Sequence, residues 1–220
     1  METLDQLITY VSNNGSFIWM QFIRHFLMAF YGVLFAAIIS IPLGILIAKY
    51  GKLSNWVLAL GSMIQTVPAL GAMAVIMIFL GLGVNTAIFT IMLYSILPIT
   101  QNTYVGMKNV DKSVIEAGYA CGMTRFQVLR MVELPLAISV IMAGLRTALV
   151  IGIGIAAVGA FVGAGGLGAI ILTGTNATDG TAIILAGAIP TALLAVLADV
   201  VLGKVERKLQ PVKSSKTRTT

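Results

Sequence analysis

The sequence predicts an all-α protein, a polytopic transmembrane helical bundle of about five crossings with the N-terminus outside and the C-terminus cytoplasmic. Of its 220 residues, 58% are hydrophobic and only 10% are charged, whereas a soluble domain has about 25% charged residues. The apolar residues form uncharged runs long enough to span a hydrocarbon layer of roughly 30 Å. Few residues lie outside these runs, so we expect no separate soluble domain.

The uncharged runs define the crossings in order. The first comprises residues 26–48, and the last two comprise 136–160 and 182–202. Residues 53–107 carry no charge and leave room for two crossings, which the turn signal GLGVN at 81–85 divides.

Pro68 lies within the second crossing. A hairpin at Pro68 would give six crossings, but its first arm of about 15 residues would be only about 22 Å long, too short to cross. We therefore predict one long helix that is kinked or broken at Pro68.

The basic residues predict the orientation. With five crossings, twelve of the fourteen Lys and Arg residues fall on one side, in the loop at Lys49 and Lys52, in the loop 106–135 and after Gly203. The positive-inside rule makes that side cytoplasmic. The net charge of +6 is thereby explained as a topology signal, and no nucleic-acid partner is expected.

These patterns divide the chain into three parts. Residues 1–23 form an external N-terminal segment, predicted to be a short amphipathic helix because apolar residues recur at helical spacing from Leu4 to Val11. Residues 24–203 form the transmembrane domain. Residues 204–220 form a basic cytoplasmic tail. Its last ten residues, PVKSSKTRTT at 211–220, are expected to be disordered and to lie near the anionic headgroups of membrane lipid.

The loop 106–135 interrupts the apolar sequence with a charged stretch, EAGYACGMTRFQVLRMVELP at 116–135. Its middle is predicted to be a short amphipathic helix that ends at Leu134-Pro135. Gly118 and Gly122 lie one turn apart on that helix and would let another backbone approach closely. From the residues alone, a docking surface for a soluble partner and an ordinary connecting loop both remain open.

The spacing in this stretch resembles the EAA loop of permease subunits in ATP-binding cassette importers, with Gly for the second Ala and Val for Ile. In that family the loop forms a coupling helix that docks in a groove of the ATPase subunit. The resemblance implies that the coupling residues here are Glu116, Ala117, Gly118, Gly122, Leu134 and Pro135.

Four further stretches look like the permease subunits of bacterial osmoprotectant uptake systems, which import glycine betaine, carnitine, choline and related solutes. They are QTVPALGAMAV (65–75), LYSILPITQNTYVGM (93–107), MAGLRTALVIGIG (142–154) and FVGAGGLGAII (161–171). The resemblance implies a chain that is not an enzyme and needs no cofactor. Its partners would be a second permease subunit, identical or paralogous, two ATPase subunits on the 106–135 loop and an external solute-binding protein.

Five residues are candidates for the translocation path or a subunit interface: Gln65, Pro68, Arg146, Gly165 and Gly166. An intramembrane Arg usually faces protein or water with a partner, although Arg146 can also snorkel to the inner surface. Gln65 and Pro68 can line a path, but polar groups in membranes also join helices.

The motif GAGGLG at 163–168 lacks the βαβ context of a dinucleotide site, so we expect a tight outer turn, and part of an outer gate, there. Asp199 is expected to pair with a Lys or Arg, and His25 to lie at the membrane interface.

Two other functions remain open. One is a permease for amino acids or another small solute in the same importer class. The other is a stand-alone secondary carrier or channel, which the scarcity of intramembrane carboxylates disfavours, since only Asp199 lies within a crossing and it lies at the edge.

Overall fold

The computed structural model describes residues 2–210, and every regular element in that range is a helix or a helical turn. Residues 211–220 of the predicted tail lie outside the described residues. In chain order the elements are α1 (Glu2–Lys49), α2 (Gly51–Thr66), α3 (Ala69–Leu80), α4 (Val84–Lys108), α5 (Lys112–Ala120), α6 (Arg125–Val128), a π-helical turn (Leu129–Glu133), α7 (Leu134–Val158), a 3-10 turn (Gly159–Val162), α8 (Leu167–Thr175) and α9 (Thr181–Lys208).

Four apolar helical stretches are long enough to cross a membrane: Thr3–Lys49, Val84–Lys108, Arg125–Val162 and Thr181–Lys208. The pair α2 and α3, bent by 96° where the two helices meet, brings the number to five when the pair is counted as one broken span. The predicted break at Pro68 and the all-α multi-pass class are therefore confirmed. The orientation in the membrane stays a prediction.

The core lies where α4 packs between α1 and α7, and glycine lets these backbones meet. A Cβ at Gly32 of α1 would lie 2.5 Å from Ile91 Cγ2, and one at Gly144 of α7 would lie 2.7 Å from Asn102 Cβ, both on α4. Helices in membranes associate through such close contacts because lipid tails provide no hydrophobic drive between them.

Two predicted boundaries are not helix ends. α1 continues through residues 23 and 24 into the first crossing, and its one non-helical residue is Asn14, at φ −119° and ψ 17°. α9 extends to Lys208, so the first residues of the predicted basic tail belong to this helix. The external position of residues 1–23 stays a prediction.

Candidate functional site

The charged stretch folds as two short helices joined by a tight turn, which we call the coupling segment (residues 111–135). α5 begins at Asp111, whose side-chain Oδ1 accepts a hydrogen bond from the Ser113 backbone N–H at 2.9 Å. This hydrogen bond holds the pKa of the Asp111 carboxyl below its usual range. The cap is therefore fully formed at neutral pH and is lost as the pH falls through that lowered pKa.

α5 ends in a glycine turn. The Met123 N–H donates to the Gly118 carbonyl at 3.1 Å, and the Gly122 N–H donates to the Tyr119 carbonyl at 2.9 Å. Gly122 has a φ of +82°, the left-handed conformation that closes a helix in this way. Gly122 therefore ends α5 and forms the turn that leads to α6.

The prediction of one helix with Gly118 and Gly122 on a shared face is wrong. Gly118 is buried, and a Cβ there would lie 3.4 Å from both Met123 Sδ and Val128 Cγ2. Gly122 lies outside the helix, and a Cβ there would meet nothing within 4 Å. The small residue at 118 thus permits α5 to pack on the following residues of its own segment.

α6 begins with a capping box. The Thr124 N–H donates to Gln127 Oε1 at 2.8 Å, and the Gln127 N–H donates to Thr124 Oγ1 at 3.3 Å. The spacing T-x-x-Q is a sequence signature of a helix start, so the sequence did contain the signal for this second helix.

The expectation that Leu134-Pro135 ends the helix is also wrong. The chain stays helical from Arg125 to Val162, and Pro135 lies in the first turn of α7, directly after the π-helical turn Leu129–Glu133. Proline has no N–H and its ring displaces the carbonyl one turn earlier, and a π-helical turn accommodates both effects. α6 and α7 therefore form one continuous element.

The coupling segment leaves several large side chains uncovered. Phe126 is 68% exposed, Met131 61% and Tyr119 47%. Of the six predicted coupling residues, Glu116, Ala117, Gly122 and Pro135 are exposed, Leu134 is half-buried and Gly118 is buried. The exposed aromatic residues were not among the predicted coupling residues, and exposed Tyr and Phe are the kind of side chain that anchors protein interfaces.

Arg146 joins α7 to α9. Its Nε and Nη2 donate to Asp199 Oδ1 and Oδ2 at 2.6 and 2.7 Å, and its Nη1 donates to Glu206 Oε2 at 3.2 Å. The expected pairing of Asp199 with a basic residue is confirmed. Glu206 belongs to the predicted basic tail, and no local pattern in the sequence marks it as a partner of Arg146.

Gln65 and Pro68 lie at the break between α2 and α3. Gln65 Nε2 donates to the Tyr94 carbonyl at 3.1 Å, and the Tyr94 hydroxyl donates to the Val67 carbonyl. Tyr94 lies on α4, so this one buried residue holds the break from two sides. A contact between residues 27 apart has no local signal in the sequence.

Gly165 and Gly166 form a tight turn before α8, as predicted. Both have positive φ, at 78° and 76°, and the Gly166 N–H donates to Gln21 Oε1 at 2.7 Å. His25 lies against this turn and is fully buried, with Nε2 2.9 Å from the Ile153 carbonyl. The position of His25 at the membrane interface and the gating role of the turn both stay predictions.

A bundle of apolar crossings with a capped, two-helix segment at one end defines a multi-pass membrane protein of the transporter class. The chain belongs to the family of binding-protein-dependent transport system inner membrane components, whose model matches residues 40–211.

Three relatives show the extent of the similarity. The chain is 64% identical to the glycine betaine/carnitine/choline transport system permease protein OpuCD of Bacillus subtilis, over 98% of this chain and 94% of that protein. It is 61% identical to the carnitine transport permease protein OpuCD of Listeria monocytogenes, over 98% and 97% of the two chains. It is 38% identical to the B. subtilis permease protein OpuCB, over 94% and 95%.

Solved structures share the fold. An inward-facing structure of the MetNI methionine ABC transporter superposes with a TM-score of 0.78 at 22% identity, covering 88% of this chain and 96% of that chain. An amino acid ABC transporter solved with histidines gives a TM-score of 0.69 at 19% identity, covering 92% and 97%. At such identities the comparison shows the importer permease fold alone.

Proposed function

We propose that this chain is a permease subunit of an ATP-driven importer for compatible solutes carrying a quaternary ammonium group, among them glycine betaine, carnitine and choline. The observation that carries the proposal is the 64% identity to a permease protein named for these three solutes, over 98% of this chain. The methionine and amino acid transporters that share the fold lie at 22% and 19% identity, which does not favour their solutes.

We infer further that the second permease subunit is a paralogue. In B. subtilis, two proteins bear the name of the same glycine betaine/carnitine/choline system, and this chain is 64% identical to one and 38% identical to the other. A system with two distinct permease proteins favours a heterodimer. The family description supports a separate binding protein, expected on the external side.

The ATPase subunits would dock on the coupling segment. Glu116 and Ala117 on α5 and the exposed Tyr119 and Phe126 give this segment a mixed polar and aromatic surface, suited to a groove in a soluble partner. Because α6 continues into α7 without a helix end, a displacement of the coupling segment by the ATPase would move α7 with it. The partner subunit would hydrolyse ATP, and this chain would convert the partner's conformational change into movement of its own helices.

The movement would alternate access to the solute. α7 is fixed to α9 through Arg146 and packs on α4, which holds the broken pair α2 and α3 through Tyr94. The tight turn at Gly165 and Gly166 would form part of the outer gate. In this scheme Gln65 and Pro68 lie beside the path, while Arg146 acts by joining two helices.

The test is solute uptake by cells lacking other uptake systems for quaternary ammonium solutes. Cells expressing the chain together with its paralogue, ATPase and binding protein should accumulate at least one of labelled choline, carnitine or glycine betaine. Cells in which only this chain is omitted should not. Uptake restricted to amino acids would instead support the rival permease function.

A further inference from the structure

The break between α2 and α3 lies within the membrane. α2 has 16 residues and starts beside the basic loop at Lys49 and Lys52, so it is about 24 Å long and ends before it has crossed a layer of roughly 30 Å. At its end Val67 and Pro68 both adopt extended backbone conformations, with ψ of 131° and 134°. Pro68 has no N–H, so α2 cannot simply continue through it.

The broken segment is uncovered in this chain. Gln65, Thr66, Val67 and Pro68 are all exposed, as is Ser62 one turn earlier. Non-helical backbone at this depth is tolerated only inside protein or beside a water-filled cavity, because hydrocarbon cannot satisfy its polar groups. This face of α2 therefore does not contact lipid tails.

The hydrogen bonds at the break determine which backbone carbonyls remain available to a ligand. The Met63 carbonyl accepts from Thr66 Oγ1, the Ile64 carbonyl accepts from the Val67 N–H, and Tyr94 donates to Val67. Among the residues that the structure describes, nothing is found to donate to the carbonyls of Gln65 and Thr66. Two carbonyls at the negative end of a helix dipole are thus left for a ligand at membrane depth.

We propose that the break at residues 65–68 receives the trimethylammonium group of the solute as it crosses the membrane. A quaternary ammonium ion has no N–H to donate, so it is bound by partial negative charges, and its polarised C–H groups can contact carbonyl oxygens. Tyr94 keeps the break open and its geometry fixed. The inference rests on the proposed function for the class of solute, and it adds the place where the cationic group binds.

A cysteine at Thr66 tests the inference, in a complex whose native Cys121, which is exposed, has been replaced by Ser. The probes are a methanethiosulfonate reagent carrying a trimethylammonium group and its sulfonate analogue. We expect Thr66→Cys to react about tenfold faster with the cationic reagent, since the carbonyls attract one charge and repel the other, and choline to slow that reaction. Ile78→Cys is the control: Ile78 of α3 is 77% exposed, we expect it to face lipid, and its cysteine should react with neither reagent.

Two results would overturn the inference. One is a Thr66→Cys that neither reagent modifies, which would place this face against the second permease subunit. The other is equal reaction of Thr66→Cys with both reagents and no effect of choline. That result would show that the break is accessible to water but does not bind a cation. Should Thr66→Cys fail to assemble, Ser62→Cys on the same face provides the same comparison. Uptake by the complex carrying only Cys121→Ser is measured separately, and the absence of uptake there would instead contradict the proposed function.

Discussion

Arg146 and Asp199 form a two-point, partly exposed ion pair between α7 and α9, with Nε–Oδ1 at 2.6 Å and Nη2–Oδ2 at 2.7 Å. We predict that Arg146→Met lowers both the abundance of the complex in the membrane and solute uptake, because it leaves Asp199 and Glu206 without their shared cation. Quantitative immunoblotting and uptake per complex measure the two effects.

Two control variants distinguish the geometry of the pair from its charge. Arg146→Lys keeps the charge but loses the planar fork, so partial function is expected. Exchanging the two residues, Arg146→Asp with Asp199→Arg, should recover more function than either single change. Normal abundance and uptake in Arg146→Met would show that the pair does not support the bundle.

The turn at Gly122 gives a second prediction. Its φ of +82° costs an ordinary residue roughly 1–2 kcal/mol, and asparagine less. Gly122→Asn should therefore transport almost normally, whereas Gly122→Val should fold in the membrane but lose most uptake. Because nothing lies within 4 Å of a Cβ at this position, equal loss in both variants would indicate that a partner surface, and not the backbone, requires the glycine.

The aromatic surface of the coupling segment gives a third prediction. Phe126 is 68% exposed, and if it anchors the ATPase subunit, Phe126→Ala should weaken their association by about 2 kcal/mol, roughly 30-fold. Co-purification of the ATPase over a concentration series measures this. Phe79 on α3 is 82% exposed and lies outside the coupling segment, so Phe79→Ala is the matched control. Similar ATPase binding by both variants would remove Phe126 from the interface.

The orientation is tested by thiol labelling in intact cells, again with Cys121 replaced. Ser16, Lys112 and Asn176 are all exposed, so each can carry a reactive cysteine. Ser16→Cys and Asn176→Cys should react with a membrane-impermeant reagent, and Lys112→Cys should react only after the cells are opened. Labelling of Lys112→Cys in intact cells would reverse the predicted sidedness.

The sequence predicted the helical spans and the break at Pro68 well because their signals are local: apolar runs and a proline. The predictions from sequence were wrong where backbone geometry determines where a helix ends. Gly118 and Gly122 have helical spacing, yet a left-handed Gly122 ends α5, and a π-helical turn lets Pro135 lie inside a helix. The sequence also could not show that Tyr94 holds the break at Pro68, because that contact forms only in the folded bundle.

The most direct test of the proposed role is transport by purified components. Proteoliposomes would contain this chain, its paralogous permease and the ATPase, with ATP inside and the binding protein outside. We predict accumulation of labelled choline, carnitine or glycine betaine that requires ATP and this chain, with no accumulation of methionine. Uptake that continues without ATP or without the ATPase subunit, or that is specific for methionine, would contradict the assignment of this chain as the permease of an ATP-driven importer for quaternary ammonium solutes.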